Sequence, residues 1–128
     1  MPYQKRIVVE PADLDDLNHV NNVRYVQWIQ DISKEHWQNT APKDIQEASI
    51  WVVLTHYIEY KAPAVLNDPI IVSTYIEKSK GAISVRVVEM VHEITKDLLV
   101  RSSTEWCLLN KQSQKPMRIS EDIKAIFS

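Results

Sequence analysis

Apolar positions along this chain change their spacing twice. Gln4 to Val9 reads as a first strand, and Pro11 ends it because proline cannot donate to a ladder. From Asn22 to about Gln38 the spacing is helical. Tyr25, Val26, Trp28, Ile29, Ile32 and Trp37 cover more than one narrow stripe, the pattern of a buried helix. At about 1.5 Å per residue this helix is roughly 25 Å long. Ala41-Pro42-Lys43-Asp44 stops it, and Ile45 to Ala48 reads as a short turn. Four runs rich in Val, Ile, Thr, Tyr or Trp follow: Trp51 to Tyr60, Ile70 to Lys78, Ile83 to Ile94 and Leu98 to Asn110. Ile83, Val85, Val87 and Val91 share one face of their strand, with Ser84, Arg86 and His92 on the other. Leu98, Val100, Trp106 and Leu108 form another inward set. Lys80-Gly81 and Thr95-Lys96-Asp97 are hairpin-type connections, so the neighbouring strands are antiparallel. Ser120 offers an N-cap for a last short helix ending at Phe127.

The order strand, helix, four strands predicts an α+β domain, a curved antiparallel sheet of five strands wrapped around one long helix. One helix cannot cover such a sheet completely, so oligomerisation is expected. The length of 128 residues fits one domain with its own core, residues 1–128. The net charge of -2 and the absence of a basic stripe argue against a nucleic-acid partner. The longest apolar runs, such as Ile50 to Leu54, are far too short for a membrane span. The N-terminal residues lack the apolar segment of a secretory signal. The single cysteine, Cys107, rules out an intrachain disulfide and suits a reducing cytoplasm. Cys107 alternates with Trp106 and Leu108 and has no partner that would activate it. Gly81 is the only glycine, so other residues must supply left-handed turn positions. Asn18, Asn21, Asn22, Asn67-Asp68 and Asn110 are the candidates.

The chemistry concentrates in Asp13 to Tyr25, between the first strand and the long helix. Three acids, a histidine and three asparagines lie in ten residues. A polar loop that opens a helix sets acids beside backbone N–H groups with no partner in the helix. That pairing can activate water and stabilise an oxyanion. Asp15 is the candidate carboxylate, set toward the positive end of the helix dipole. The N–H of Asn22, with Asn21 or Val23, is the candidate oxyanion donor. Structural readings stand beside these: Asp15 as a turn or cap residue, the free amides capped by water, and His19 as a hydrogen-bond partner. The spacing of Asp13, Asp15, Asp16 and His19 matches no standard metal site. His36 and His92 read as surface residues of helix and sheet.

The segment Asp13-Leu-Asp15-Asp-Leu-Asn-His19-Val-Asn21-Asn22-Val-Arg-Tyr25 resembles the signature of the hotdog-fold acyl-thioesterases. It is nearest in wording to the 4-hydroxybenzoyl-CoA thioesterase-like group and the acyl-ACP thioesterases of plants and bacteria. His56 to Ala64, followed by Asn67-Asp68-Pro69, is similar to that family's exit from a strand. Lys115-Pro116-Met117-Arg118-Ile119 is similar to its C-terminal run. The resemblance implies a hotdog fold, a homodimer or homotetramer, and thioester hydrolysis with no metal or organic cofactor. Asp15 corresponds to the reacting carboxylate of many members, and His19 to the histidine of the plant-type enzymes. This chain has Leu17 where those enzymes carry asparagine. Asn18 stands in place of the usual glycine, and Asn22 in place of a histidine found in short-chain acyl-CoA members.

The reading is an acyl-thioesterase on acyl-CoA or an acyl-carrier-protein thioester, with Asp15, His19 and Asn22 in the chemistry. Asp15 acts as nucleophile or as base for water. Asn18, Asn21, Tyr25, Lys61 and Arg101 are candidate substrate contacts, and Lys61, Lys78, Lys80, Arg86, Arg101 and Arg118 are candidate phosphate contacts. Acyl-thioester hydration or dehydration, and acyl-CoA binding without turnover, remain as alternatives on the same fold. The sequence does not specify the acyl group.

Overall fold

The structure, a computed structural model, describes residues 2–127. Five strands form one antiparallel sheet: β1 (Tyr3–Val8), β2 (Ser49–Tyr60), β3 (Pro69–Lys80), β4 (Ile83–His92) and β5 (Leu98–Asn110), in the order β1-β3-β4-β5-β2. The helix α1 (Asn22–Thr40) lies across it, with short helices α2 (Lys43–Ala48) and α3 (Glu121–Ile126). This is the α+β hotdog architecture that the element order and the resemblance imply.

Several boundaries differ from the sequence reading. α1 continues to Thr40, where Ala41 turns to an extended φ of -80° and ψ of 139°. The run before Ser49 is a full turn of helix after Pro42, because proline suits the entry to a helix. Gly81 and Asn67 take left-handed φ values of 62° and 69°. With one glycine in the chain, Lys96 and Gln114 also enter that region, at 68° and 58°.

α1 buries one side: Tyr25, Trp28, Ile29, Ile32, Ser33 and His36. Its other flank is open, and Val23 is 67% exposed, so α1 is amphipathic rather than enclosed. The buried side meets Ile70, Val72, Val88, Met90 and Val100. The face of β4 under the helix is therefore the one that carries Ser84, Arg86, Val88 and Met90. The alternating Val85, Val87 and Val91 point to the opposite face. His36 is accordingly buried at 4% exposure and Arg86 at 5%, which corrects their reading as a surface histidine and a phosphate contact. Burial and the nearby Arg86 charge pull His36 down to about 4, so it is neutral at pH 7. A second cluster, Leu108, Ile119 and Ile123 with Trp37 and Trp51, seats the C-terminal segment. Met117 N–H donates to Leu108 O at 2.8 Å, and Ile119 N–H to Gly81 O at 2.8 Å. No helix among the described residues is long and apolar enough to cross a membrane.

Candidate active site

The loop between β1 and α1 owes its shape to its acids. After Pro11–Asp13, a single 3-10 turn, the chain pairs Leu14 with Val20 in an isolated antiparallel bridge. Residues between them form a tight excursion. Asp15 N–H donates to His19 O at 2.7 Å, and Asn18 N–H to Asp15 O at 3.1 Å. Asn18 stands at the turn with φ 61°, a conformation that asparagine tolerates. Val20 N–H donates to Ala64 O at 2.9 Å and ties the loop to the chain beyond β2.

Asp13 and Asp15 have different duties. Asp13 is 3% exposed. Its Oδ2 accepts from Glu10 N–H at 2.8 Å, and its Oδ1 pairs with Arg24 Nε at 2.7 Å. Both oxygens are committed to holding the loop against the first turn of α1. Asp15 is half-buried. Its Oδ1 accepts from the amides of Leu17 and His19, at 2.9 and 3.1 Å. Its Oδ2 accepts nothing among the described residues, so one oxygen fixes the side chain and the other is available. Asp16 is exposed.

The helix end supplies a matching donor. Asn21 is the N-cap, and its side chain accepts from Val23 N–H at 2.9 Å. Asn21 N–H donates to Asp13 O, and the N–H groups of Arg24 and Tyr25 donate back to Asn21 O. The N–H of Asn22 is left with no acceptor among the described residues. It sits where the helix dipole presents positive potential.

Asp15, His19, Asn22, Tyr25 and Lys61 line one groove of about 450 Å³, together with Val20, Tyr60, Ala62 and Pro63. The imidazole of His19 makes no hydrogen bond among the described residues. Tyr25 OH accepts from Ala64 N–H at 3.1 Å, leaving its own proton to donate. Desolvation raises the pKa of Tyr25 and Tyr60 above the ordinary tyrosine value, so both phenols are neutral donors at pH 7. Lys61 stands at the rim, 2.8 Å from Glu59. The groove therefore combines an open carboxylate oxygen, an unpartnered helix amide, neutral hydroxyl donors and a rim cation.

Three predicted residues are elsewhere. Asn18 is exposed at its turn, and Asn21 spends its side chain on the cap. Arg101 pairs with Glu89 at 3.6 Å on the face of β5 that turns away from α1. Tyr60 was not singled out from sequence. The signal was its phase: Ile58 and Tyr60 alternate on the face of β2 that looks toward α1.

The chain matches the thioesterase-like superfamily over residues 9–127. Among solved structures it is similar to a probable thioesterase, YbaW, from Escherichia coli, at 20% identity and a TM-score of 0.86, covering 96% of this chain and 94% of that one. A 1,4-dihydroxy-2-naphthoyl-CoA thioesterase from Synechocystis is similar at 15% identity and a TM-score of 0.84, covering 99% and 96%. A Staphylococcus aureus protein in complex with CoA is similar at 15% identity and a TM-score of 0.86, covering 98% and 81%. No curated protein shows significant sequence similarity to the chain. With the family model spanning nearly the whole chain and the fold in agreement, the protein belongs to the thioesterase-like superfamily, hotdog-fold hydrolases of thioesters.

Proposed function

We propose that the protein hydrolyses an acyl-CoA thioester to the free acid and CoA thiol, using Asp15 and the Asn22 amide. The observation that carries this is the pairing in one groove of a carboxylate with one oxygen pinned and one open, and a helix N–H without an acceptor. The thioester carbonyl lies between them. The open oxygen of Asp15 attacks the carbonyl carbon, or takes a proton from a water that attacks it. Charge gathers on the carbonyl oxygen, where the Asn22 N–H receives it. The carbon–sulfur bond breaks and the thiolate leaves as the thiol with a proton that comes from water; where Asp15 has attacked, water then hydrolyses the mixed anhydride, releasing the acid and restoring the carboxylate. His19 orients the water or the carboxylate, and the free hydroxyl proton of Tyr25 holds the acyl end, with Tyr60 fastened to Asn22 beside it. Lys61 meets the phosphate-bearing part of the substrate at the rim. A CoA substrate is favoured over a carrier protein by the CoA-bound and CoA-thioesterase relatives.

The active form is a homodimer or a homotetramer. β2 is an edge strand of 12 residues bonded on one side only, to β5. It exposes Val53, Leu54, Tyr57 and Tyr60, and Tyr60 lines the groove. A long apolar edge needs cover, and a second copy supplies it beside the site.

The test is thiol release from a panel of acyl-CoA substrates differing in chain length, branching and aromaticity. Release from at least one supports hydrolysis. Tight binding without release from any of them overturns it. A single turnover in heavy-oxygen water tests for the covalent route: attack by Asp15 can place an unlabelled aspartate oxygen in the acid, when water opens the mixed anhydride at the aspartyl carbon, whereas direct attack by water must place solvent oxygen there.

A further inference from the structure

Arg86 is a buried cation whose positive charge no acid among the described residues pairs with. It lies under α1 at 5% exposure. Its Nη1 donates to Thr74 Oγ1 at 3.0 Å and to His36 Nδ1 at 2.9 Å. The neutral state of His36 lets Nδ1 accept. The ring of Phe127 stands 5.1 Å from the guanidinium carbon. Among the described residues, Nε and Nη2 make no hydrogen bond and no carboxylate pairs with the group. These two nitrogens form one edge of the guanidinium fork, the edge that receives a carboxylate through two parallel hydrogen bonds.

That residue borders a cavity of about 560 Å³, with Trp37, Trp51, Trp106, Phe127 and Lys34 also in its walls. The indole N–H groups of Trp51 and Trp106 are buried without an acceptor. Both residues border the cavity with their aromatic rings, beside the unneutralised cation. Asp31, which accepts from Gln27 at 2.8 Å, also borders the cavity and opposes a doubly charged anion such as phosphate. The aromatic walls suit a flat or apolar body. His36 lies 14 positions after Asn22 on α1, roughly 21 Å along the helix, so this cavity is separate from the groove at Asp15 within one chain.

We infer that this cavity is a carboxylate subsite, which takes an aromatic or medium-chain acid with its carboxylate forked on Arg86 and its apolar body among the tryptophans. The carboxylate belongs either to a free acid or to the far end of an acyl thioester that reaches into the cavity.

The experiment is a titration of intrinsic tryptophan fluorescence with benzoate and octanoate, with methyl benzoate as the uncharged control. It needs no turnover, so it stands whether or not thioester hydrolysis is observed. The expected result is saturable quenching by the acids, with methyl benzoate at least about tenfold weaker. Arg86→Met should lose at least about tenfold in affinity for the acids and leave methyl benzoate unchanged. Removing an unpaired buried charge favours folding, so this variant is expected to stay folded. Arg86→Lys keeps the charge without the fork and should fall between. Equal binding of benzoate and methyl benzoate, undiminished acid binding in Arg86→Met, or no acid binding at all overturns the inference. A second arm, which rests on the proposed hydrolysis, identifies the source. Preference for an acyl-CoA ending in a carboxylate over one of equal length ending in methyl, lost in Arg86→Met, points to the substrate. A change in octanoyl-CoA turnover caused by benzoate without competition points to a separate acid.

Discussion

Tyr60, the last residue of β2, donates its hydroxyl hydrogen bond to the side-chain carbonyl of Asn22, the first residue of α1. The edge strand is thereby fastened to the helix end that carries the unpartnered amide, and the Asn22 side-chain carbonyl is occupied. The role of Asn22 in the chemistry then falls to its backbone. Proline is favoured at the first position of a helix and has no N–H. The preceding Asn21 is already extended, with φ -67° and ψ 140°, as a residue before proline must be. Asn22→Pro should therefore fold normally and lower turnover by about a hundredfold or more, the usual cost of one oxyanion donor. Asn22→Ala keeps the amide and should cost less than about tenfold. Circular dichroism with steady-state thiol release checks both. Equal activities for the two variants would remove the amide from the mechanism.

His19 holds Asp15 through its backbone, while its imidazole makes no hydrogen bond among the described residues. A side chain without structural bonds can be removed at little cost in stability. His19→Ala should lower turnover by about ten- to a thousandfold while the melting temperature stays nearly fixed. A large fall in melting temperature with unchanged turnover per folded molecule would assign the ring a structural duty instead.

Acid should destabilise the fold through His36. Its pKa is pulled down to about 4 by burial first and by Arg86 second, against about 6.5 in an unfolded chain. Between those values the unfolded state binds the extra proton. The contribution is thus complete above pH 6.5, declines as pH falls toward 4, and levels off below. Its full size is on the order of 3 kcal/mol. Denaturation of wild type and His36→Gln at several pH values isolates it, because other titrating groups cancel in the difference. The acid loss should be smaller in the variant; identical pH profiles would contradict the burial account.

The proposed assembly covers the open edge of β2 with a second copy. Light scattering at micromolar concentration should give twice the chain mass or more. Tyr57→Glu, placed on the exposed middle of β2, should shift the population toward monomer and reduce activity with it. A stable, fully active monomer would refute a site that depends on a second copy.

The sequence displayed its architecture clearly because most elements carry their own period and their own stops. Pro11, Pro42 and the hairpin at Gly81 sit where the structure turns. Asn18 and Asn67 were readable as left-handed positions for lack of glycine, whereas nothing marked Lys96 and Gln114 for the same conformation. The phase of β4 was misleading. Its alternating valines advertise a core face, but the helix covers the side with Arg86, because neutral His36, Thr74 and Phe127 give that cation a place under α1. Burial of a charge depends on partners far apart in sequence, which no local pattern records. The same holds for the site. Asp15, His19 and Asn22 are near neighbours in sequence and could be picked out together. Tyr60 joins them only through the fold, and Arg101 is turned away by one step of strand alternation.

The central claim is that Asp15, alone among the three acids of its loop, carries the reaction. Asp15→Asn keeps an oxygen to accept from the amides of Leu17 and His19, so the loop retains its shape while the charge is removed. Asp13 is committed to Glu10 and Arg24, and its loss should lower stability more than turnover. Asp16 is exposed and should be nearly neutral to replacement. The decisive measurement is thiol release per folded molecule for Asp13→Asn, Asp15→Asn and Asp16→Asn side by side, on one acyl-CoA substrate. Asp15→Asn should fall by at least about a hundredfold with substrate affinity little changed, and its neighbours by far less. Near-normal release from Asp15→Asn, with release abolished in either neighbour, would contradict the account.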